Sequence, residues 1–119
     1  MKHGGICHIE LTTNNLEKTK AFYEELFNWT VSVIPGFENY AMFSTPEGVG
    51  GGINAAEEPS GEAGPILHIA VDDIEETLTR IEKAGGKVLA SKTKISDEFG
   101  YYALFLDNVG NRLGIWSNG

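Results

Sequence analysis

The sequence predicts an α+β fold built from two βαβββ modules in tandem. Three observations carry this: an internal repeat, the same order of strand and helix signals in each copy, and turn residues between the strands. His8-Ile-Glu-Leu aligns with His68-Ile-Ala-Val at an offset of 60, and Asn14-Asn-Leu-Glu-Lys-Thr with Asp72-Asp-Ile-Glu-Glu-Thr at 58. Tyr40-Ala-Met-Phe aligns with Tyr102-Ala-Leu-Phe, and Gly48-Val-Gly-Gly-Gly-Ile with Gly110-Asn-Arg-Leu-Gly-Ile, both at 62. The matches keep their order along the chain, as a duplicated module does.

Each element has a local cause. Residues 6–12 alternate and are rich in β-formers, which predicts a strand. Asn14 followed by Glu17 resembles a capping box, and Leu16, Thr19, Phe22, Tyr23, Leu26 and Phe27 recur at helical spacing. Three short strands are expected over 29–34, 39–44 and 49–54, parted by Pro35-Gly36 and Pro46-Glu47-Gly48. In the second copy a strand spans 65–71. Asp72 caps a helix with apolar positions Ile74, Leu78 and Ile81, and Gly85-Gly86 ends it. Strands over 87–91, 100–106 and 112–117 complete the set. Module one thus runs over 5–54, a linker rich in Ala, Glu, Gly and Pro over 55–64, and module two over 65–117. Together they make one domain over 1–119, since neither half alone holds much core. The polar stretch 92–99 reads as a loop and a candidate lid.

Composition narrows the function classes. Hydrophobic residues are 41% and charged residues 22% of 119, which is ordinary globular usage. Apolar runs are short, so no membrane span and no secretory signal are expected. The one cysteine, Cys7, allows no internal disulfide and suits the reducing cytoplasm. A formal net charge of −8 repels phosphate backbones and anionic lipid, so neither nucleic acid nor membrane is an expected partner. A small molecule or another protein remains.

Strand parity then selects candidate site residues. In the first strand Cys7, Ile9 and Leu11 share the face expected to meet the helix, and His8, Glu10 and Thr12 share the other. The equivalent strand sets Leu67, Ile69 and Val71 against His68, Ala70 and Asp72. His8 and His68 therefore hold equivalent positions on the face turned from the helices. In the last strands Gly50, Gly52 and Asn54 share one face, as do Arg112, Gly114 and Trp116.

Several residues together carry a family resemblance: Lys20-Ala-Phe-Tyr-Glu-Glu-Leu-Phe-Asn-Trp after the first strand, Val71-Asp-Asp-Ile, Ala84-Gly-Gly-Lys-Val, Leu106-Asp-Asn-Val-Gly-Asn and the Gly114-Ile-Trp ending. The chain resembles the glyoxalase/bleomycin resistance protein/dioxygenase (vicinal oxygen chelate) superfamily, and within it the lactoylglutathione-lyase-related branch. The resemblance implies a curved mixed sheet around a cavity, a small-molecule ligand and a homodimer. It also implies metal ligands at His8 and His68 for a divalent ion such as Zn, Ni, Mn or Fe. The carboxylates that would complete that site correspond to Gly52 and Gly114, and both are missing.

Two functions remain open on this reading. One is a binder that grips a small ligand without a complete metal site, with Arg112, Trp116 and Asn54 as ligand contacts. The other is a metal-dependent lyase or isomerase acting beside a carbonyl, with Glu10 as general base completing a set with His8 and His68. The first reading of Glu10, ahead of the base, is a buried acceptor for a donor such as Arg112. Cys7 is expected in the core, Asp72 and Asp73 at a helix cap, and Asp107-Asn-Val-Gly-Asn in a turn with local side-chain bonds.

Overall fold

A computed structural model of the chain describes residues 2–3, 6–55, 58–59, 61 and 64–119. The start of module one at Gly5 and much of the expected linker 55–64 lie outside the described residues. The chain divides into two compact units, Met1–Pro59 and Ser60–Gly119.

In the first unit the order is β1 (Ile9–Thr12), α1 (Leu16–Phe27), β2 (Thr30–Val33), β3 (Tyr40–Ser44) and β4 (Gly51–Asn54). The sheet runs β1-β4-β3-β2, with β1 parallel to β4 and the other pairs antiparallel. Asn15, one residue beyond the expected cap, takes the N-cap because its side chain accepts from the Lys18 amide at 3.0 Å. The helix stops at Asn28, which adopts the left-handed conformation (φ 58°). Its buried face is Thr19, Phe22, Tyr23, Leu26 and Phe27. Tyr23 stacks on Trp29 at 4.4 Å between centroids, and Trp29 stacks on Phe43 at 4.4 Å and 8°. Leu11, Val31, Ala41 and Ile53 fill the rest of this core. Burying each of the larger side chains contributes about 1.5–3 kcal/mol.

The second unit repeats the plan with β5 (His68–Ala70), α2 (Ile74–Lys83), β6 (Lys87–Ser96), β7 (Gly100–Leu106) and β8 (Arg112–Ser117), in sheet order β5-β8-β7-β6. Asp73, not Asp72, caps α2 by accepting from the Glu76 amide at 3.0 Å. Ile74, Leu78 and Ile81 form the buried stripe, and Ala103, Phe105, Leu113 and Ile115 complete the core. Gly86 follows the helix where a Cβ would fall 2.6 Å from the Ile81 side chain and 2.7 Å from the Leu106 carbonyl oxygen, so only glycine fits that turn.

The expected architecture is present, α+β with two four-stranded mixed sheets and two helices. Three local expectations change. The stretch 92–99 is no loop: β6 continues to Ser96, and only residues 97–99 turn into β7. Its polar residues lie in an outermost strand, where one face meets water and hydrophobicity is not required. The strand expected over 6–12 pairs only from Ile9 onward, so Cys7 is an exposed free thiol and not a core residue. The strand expected over 65–71 is likewise shorter, three residues long. No described helix is long and apolar enough to cross a membrane.

Candidate functional site

Strand register settles which side chains share the face away from each helix. In the first unit Glu10 pairs with Gly52, Gly52 with Met42, Thr12 with Asn54, and Asn54 with Tyr40. With Leu11, Ile53, Ala41 and Phe43 buried on the other side, this face presents Glu10, Thr12, Tyr40, Met42, Gly52 and Asn54. His8 precedes β1 with the same parity as Glu10, and it is exposed.

Tyr40 organises this face. Its hydroxyl lies 3.0 Å from His8 Nε2. The phenol's pKa is raised above the ordinary tyrosine value, first by burial and then by the neighbouring Glu10 carboxylate. The ring lies directly over Gly52, where a Cβ would run into the phenol hydroxyl and ring carbons. The position expected for a carboxylate is therefore filled by a side chain arriving from β3. Glu10 is exposed, so the buried acceptor anticipated for it is not what the structure shows.

Sequence reasoning missed Tyr40. One signal was available: a glycine inside a strand marks close approach by another group. Tyr40 stands opposite Asn54, two residues from Gly52, on the same face of the sheet.

In the second unit the corresponding face carries His68, Ala70, Tyr102, Leu104, Arg112, Gly114 and Trp116, by the pairings His68–Gly114, Ala70–Trp116, Tyr102–Trp116 and Leu104–Gly114. Here the imidazole itself covers the glycine: a Cβ on Gly114 would fall 2.5 Å from both Cδ2 and Nε2 of His68. His68 Nδ1 bonds the Ile66 carbonyl oxygen at 3.3 Å. Of the expected ligand contacts, Trp116 donates its indole N–H to the Phe99 carbonyl oxygen at 2.7 Å. Arg112 extends Nη2 to the Gly64 carbonyl oxygen at 3.5 Å, and its amide donates to Gly61 O at 3.0 Å. Both residues thus tie neighbouring segments to β8. The Arg112 Nε is buried without a partner among the described residues.

These residues do not fit a divalent metal site as they stand. Among the described residues no three of His, Cys, Asp and Glu converge. Each glycine that would need to be a carboxylate has an aromatic ring laid over it, and the ring nitrogen of His8 nearest this cluster is already bonded to Tyr40. Divalent ions of this kind take at least three converging protein ligands, which the described residues do not bring together.

Comparison with known proteins agrees with the fold. The family model described as the glyoxalase/bleomycin resistance protein/dioxygenase superfamily matches residues 5–115. A glyoxylase-like domain-containing protein of Didymella fabae is 27% identical over 116 residues, covering 92% of this chain and 90% of that protein. CFP32 of Mycobacterium bovis is 28% identical over 114 residues, covering 91% of this chain, and the chain spans only 43% of that protein's length. Among solved structures, a mutant of the fosfomycin resistance protein FosX from Listeria monocytogenes, complexed with Mn(II) and a dihydroxypropylphosphonic acid, has the same fold. The TM-score is 0.78 at 18% identity, with 99% of this chain and 92% of that one covered. The family match spans both units, from before β1 to within β8, and so the chain belongs to the glyoxalase/bleomycin resistance protein/dioxygenase superfamily.

Proposed function

We propose that the protein binds a small molecule on the helix-free faces of its sheets and does so without the divalent metal of its metal-using relatives. One observation carries this reading: the Tyr40 phenol, seated over Gly52 and bonded to His8, occupies the place from which a carboxylate would complete a metal site. His8, Glu10 and Asn54 supply polar contacts on one face, and His68, Arg112 and Trp116 polar and aromatic contacts on the other. The chain is taken to act as a cytoplasmic homodimer; light scattering on the purified protein tests the stoichiometry.

The test is metal analysis of protein purified without chelator, with melting curves in Zn²⁺, Ni²⁺, Mn²⁺ and Fe²⁺. The expected outcome is no stoichiometric metal and no melting shift with any of the four. Bleomycin, as a cationic glycopeptide, and a planar aromatic dye serve as ligand probes, and a melting shift with either supports the binder. Stoichiometric metal that disappears in His8→Ala or His68→Ala would overturn the reading. That result would favour a metal-dependent lyase or isomerase with Glu10 as base, whose support is the equivalent placement of the two histidines in the repeat.

A further inference from the structure

The two sheets differ in the charge they carry. The strands of the first, β1 to β4, contain Glu10 and neither lysine nor arginine. Those of the second, β5 to β8, contain three lysines and Arg112 and no carboxylate, in a chain of net charge −8. Residues paired across strands share a face, so the helix-free face of the second sheet reads as rows. One row sets Lys87 beside Leu106 and Leu106 beside Arg112; the adjoining Phe105 and Leu113 are buried on the other side. The next row holds Gly114, with the His68 imidazole laid across it. A third sets Trp116 between Tyr102 and Ala70. Four residues of β8 separate Arg112 from Trp116, which puts the first and third rows roughly 13 Å apart.

The first row is cationic and unpaired. Among the described residues neither Lys87 nor Arg112 forms an ion pair. The guanidinium has five donor hydrogens, yet its side-chain contact there is one 3.5 Å approach of Nη2 to the Gly64 carbonyl oxygen. The third row is aromatic. Trp29 stacks on both Tyr23 and Phe43, whereas Trp116, half-buried, has no ring stacked on it among the described residues. Its indole N–H is already donated to the Phe99 carbonyl oxygen, which fixes the ring and leaves its π face to be covered. Ala70 beside it projects only a methyl group.

We propose that the helix-free face of the second sheet takes an aromatic anion: a planar ring against Trp116 and Tyr102, joined by a spacer to a carboxylate or phosphate that pairs with Arg112 and Lys87. This rests on the reading that the protein binds a small molecule on these faces, and it names the class of ligand for one of them. A planar fork of donors suits either anion, and the exposed Lys87 adds charge from the other side of Leu106. The spacer crosses the row of Gly114 and His68. Cationic aromatics are disfavoured by the same row that attracts the anion.

Titration calorimetry of the full chain tests this with two homologous series, naphthyl-alkyl carboxylates and naphthyl-alkyl phosphates. Each acid is compared with its neutral amide or alcohol and with the amine of equal spacer. The anions are expected to bind about tenfold or more tightly than the neutral compounds, with the longer spacers best, and the tighter series names the anion. Arg112→Gln should weaken anion binding about tenfold, and Lys87→Gln, at an exposed position, about three- to fivefold. Trp116→Leu should weaken it about three- to tenfold. Lys83→Gln, an equal change of net charge on α2, should leave it unchanged. The proposal is overturned if no anion of either series binds, if the amide or amine binds as tightly as the acid, or if Lys87→Gln and Arg112→Gln bind as wild type does. Lys87→Gln alters only an exposed side chain, so it decides the matter even where Arg112→Gln fails to fold. An amine that binds well and ignores Lys87→Gln sinks this proposal and leaves the metal-free binder standing. Stoichiometric metal sinks the metal-free binder whatever the titrations give.

Discussion

The two units share one strand order, yet β1 pairs with β4 two residues out of step with β5 on β8, and the units are packed and closed by different chemistry. The first unit is built on rings: Phe22, Tyr23, Phe27, Trp29 and Phe43 form its interior. In the second, aliphatic Ile74, Leu78, Ile81, Leu113 and Ile115 surround a lone Phe105. The strand-to-strand turns differ as well. Thr45 in the first unit donates its hydroxyl to the carbonyl oxygens of Glu47 and Val49 at 3.1 and 3.3 Å. Its counterpart at the offset of 62, Asp107, accepts from the amides of Val109, Gly110 and Asn111 at 3.1, 2.9 and 2.9 Å. Topology tolerates such exchange because backbone pairing sets it, whereas each core and each turn needs only its own volume filled and its own polar groups bonded.

The sharpest way to break this comparison is in the cores. Trp29→Ala should cost about 3–5 kcal/mol, since it opens a cavity between two stacked rings. Ile81→Ala in the second unit should cost less, about 2–4 kcal/mol, within the range for aliphatic truncations. Urea unfolding followed by circular dichroism gives both, and equal losses would show that the stacked arrangement adds nothing beyond its volume. The turns come next. Asp107→Ala removes a side-chain acceptor shared by three backbone amides and should cost about 1–3 kcal/mol, against roughly 0.5–1 kcal/mol for Thr45→Ala.

Neighbouring glycines of β4 give a finer contrast. A Cβ on Gly51 would collide with the backbone of Ile9, which cannot move without breaking the β1–β4 pairing. At Gly52 the obstacle is the end of the Tyr40 side chain. Gly51→Ala should therefore cost about 1–3 kcal/mol, while Gly52→Ala, which displaces only a side-chain end, is nearly neutral for stability.

The smallest effect is an acid limb. Glu24 accepts from the Val31 amide at 3.1 Å, fastening the end of α1 to β2, and this bond lowers its pKa below 4.5, aided by Lys20. A lowered pKa contributes stability that is present above the unfolded value and is lost as pH falls through the folded one. Wild type should accordingly be slightly more stable than Glu24→Gln at neutral pH, and melting curves taken below pH 4.5 should show that gap closing.

Where the sequence was legible, local physics was decisive. The repeat, the capped helices and the alternation around His8 and His68 give the topology and the exposed faces, because each signal lies within a few residues. The Asp107 turn was legible for the same reason, its bonds spanning at most four residues. Tyr40 was not, since its role joins β3, β1 and β4, and only the three-dimensional register brings phenol, imidazole and glycine together. The length of β6 was hidden by the lysines and serines of 91–96, which read as solvated chain. The pairing that keeps them extended comes from β7 across the turn.

That outer strand has a further consequence. Pairing of β6 with β7 shifts register between Val88 and Ala90, between Ala90 and Thr93, and between Lys94 and Ser96. Each irregularity bends the strand and increases its twist. The strand's free side is therefore an interrupted, charged ladder with Lys92 and Lys94 along it, where a straight one would invite an extended segment of another chain to add on. A protein built so is guarded against fibrous growth from its longest edge. Strand addition by a second copy at β6 is disfavoured for the same reason.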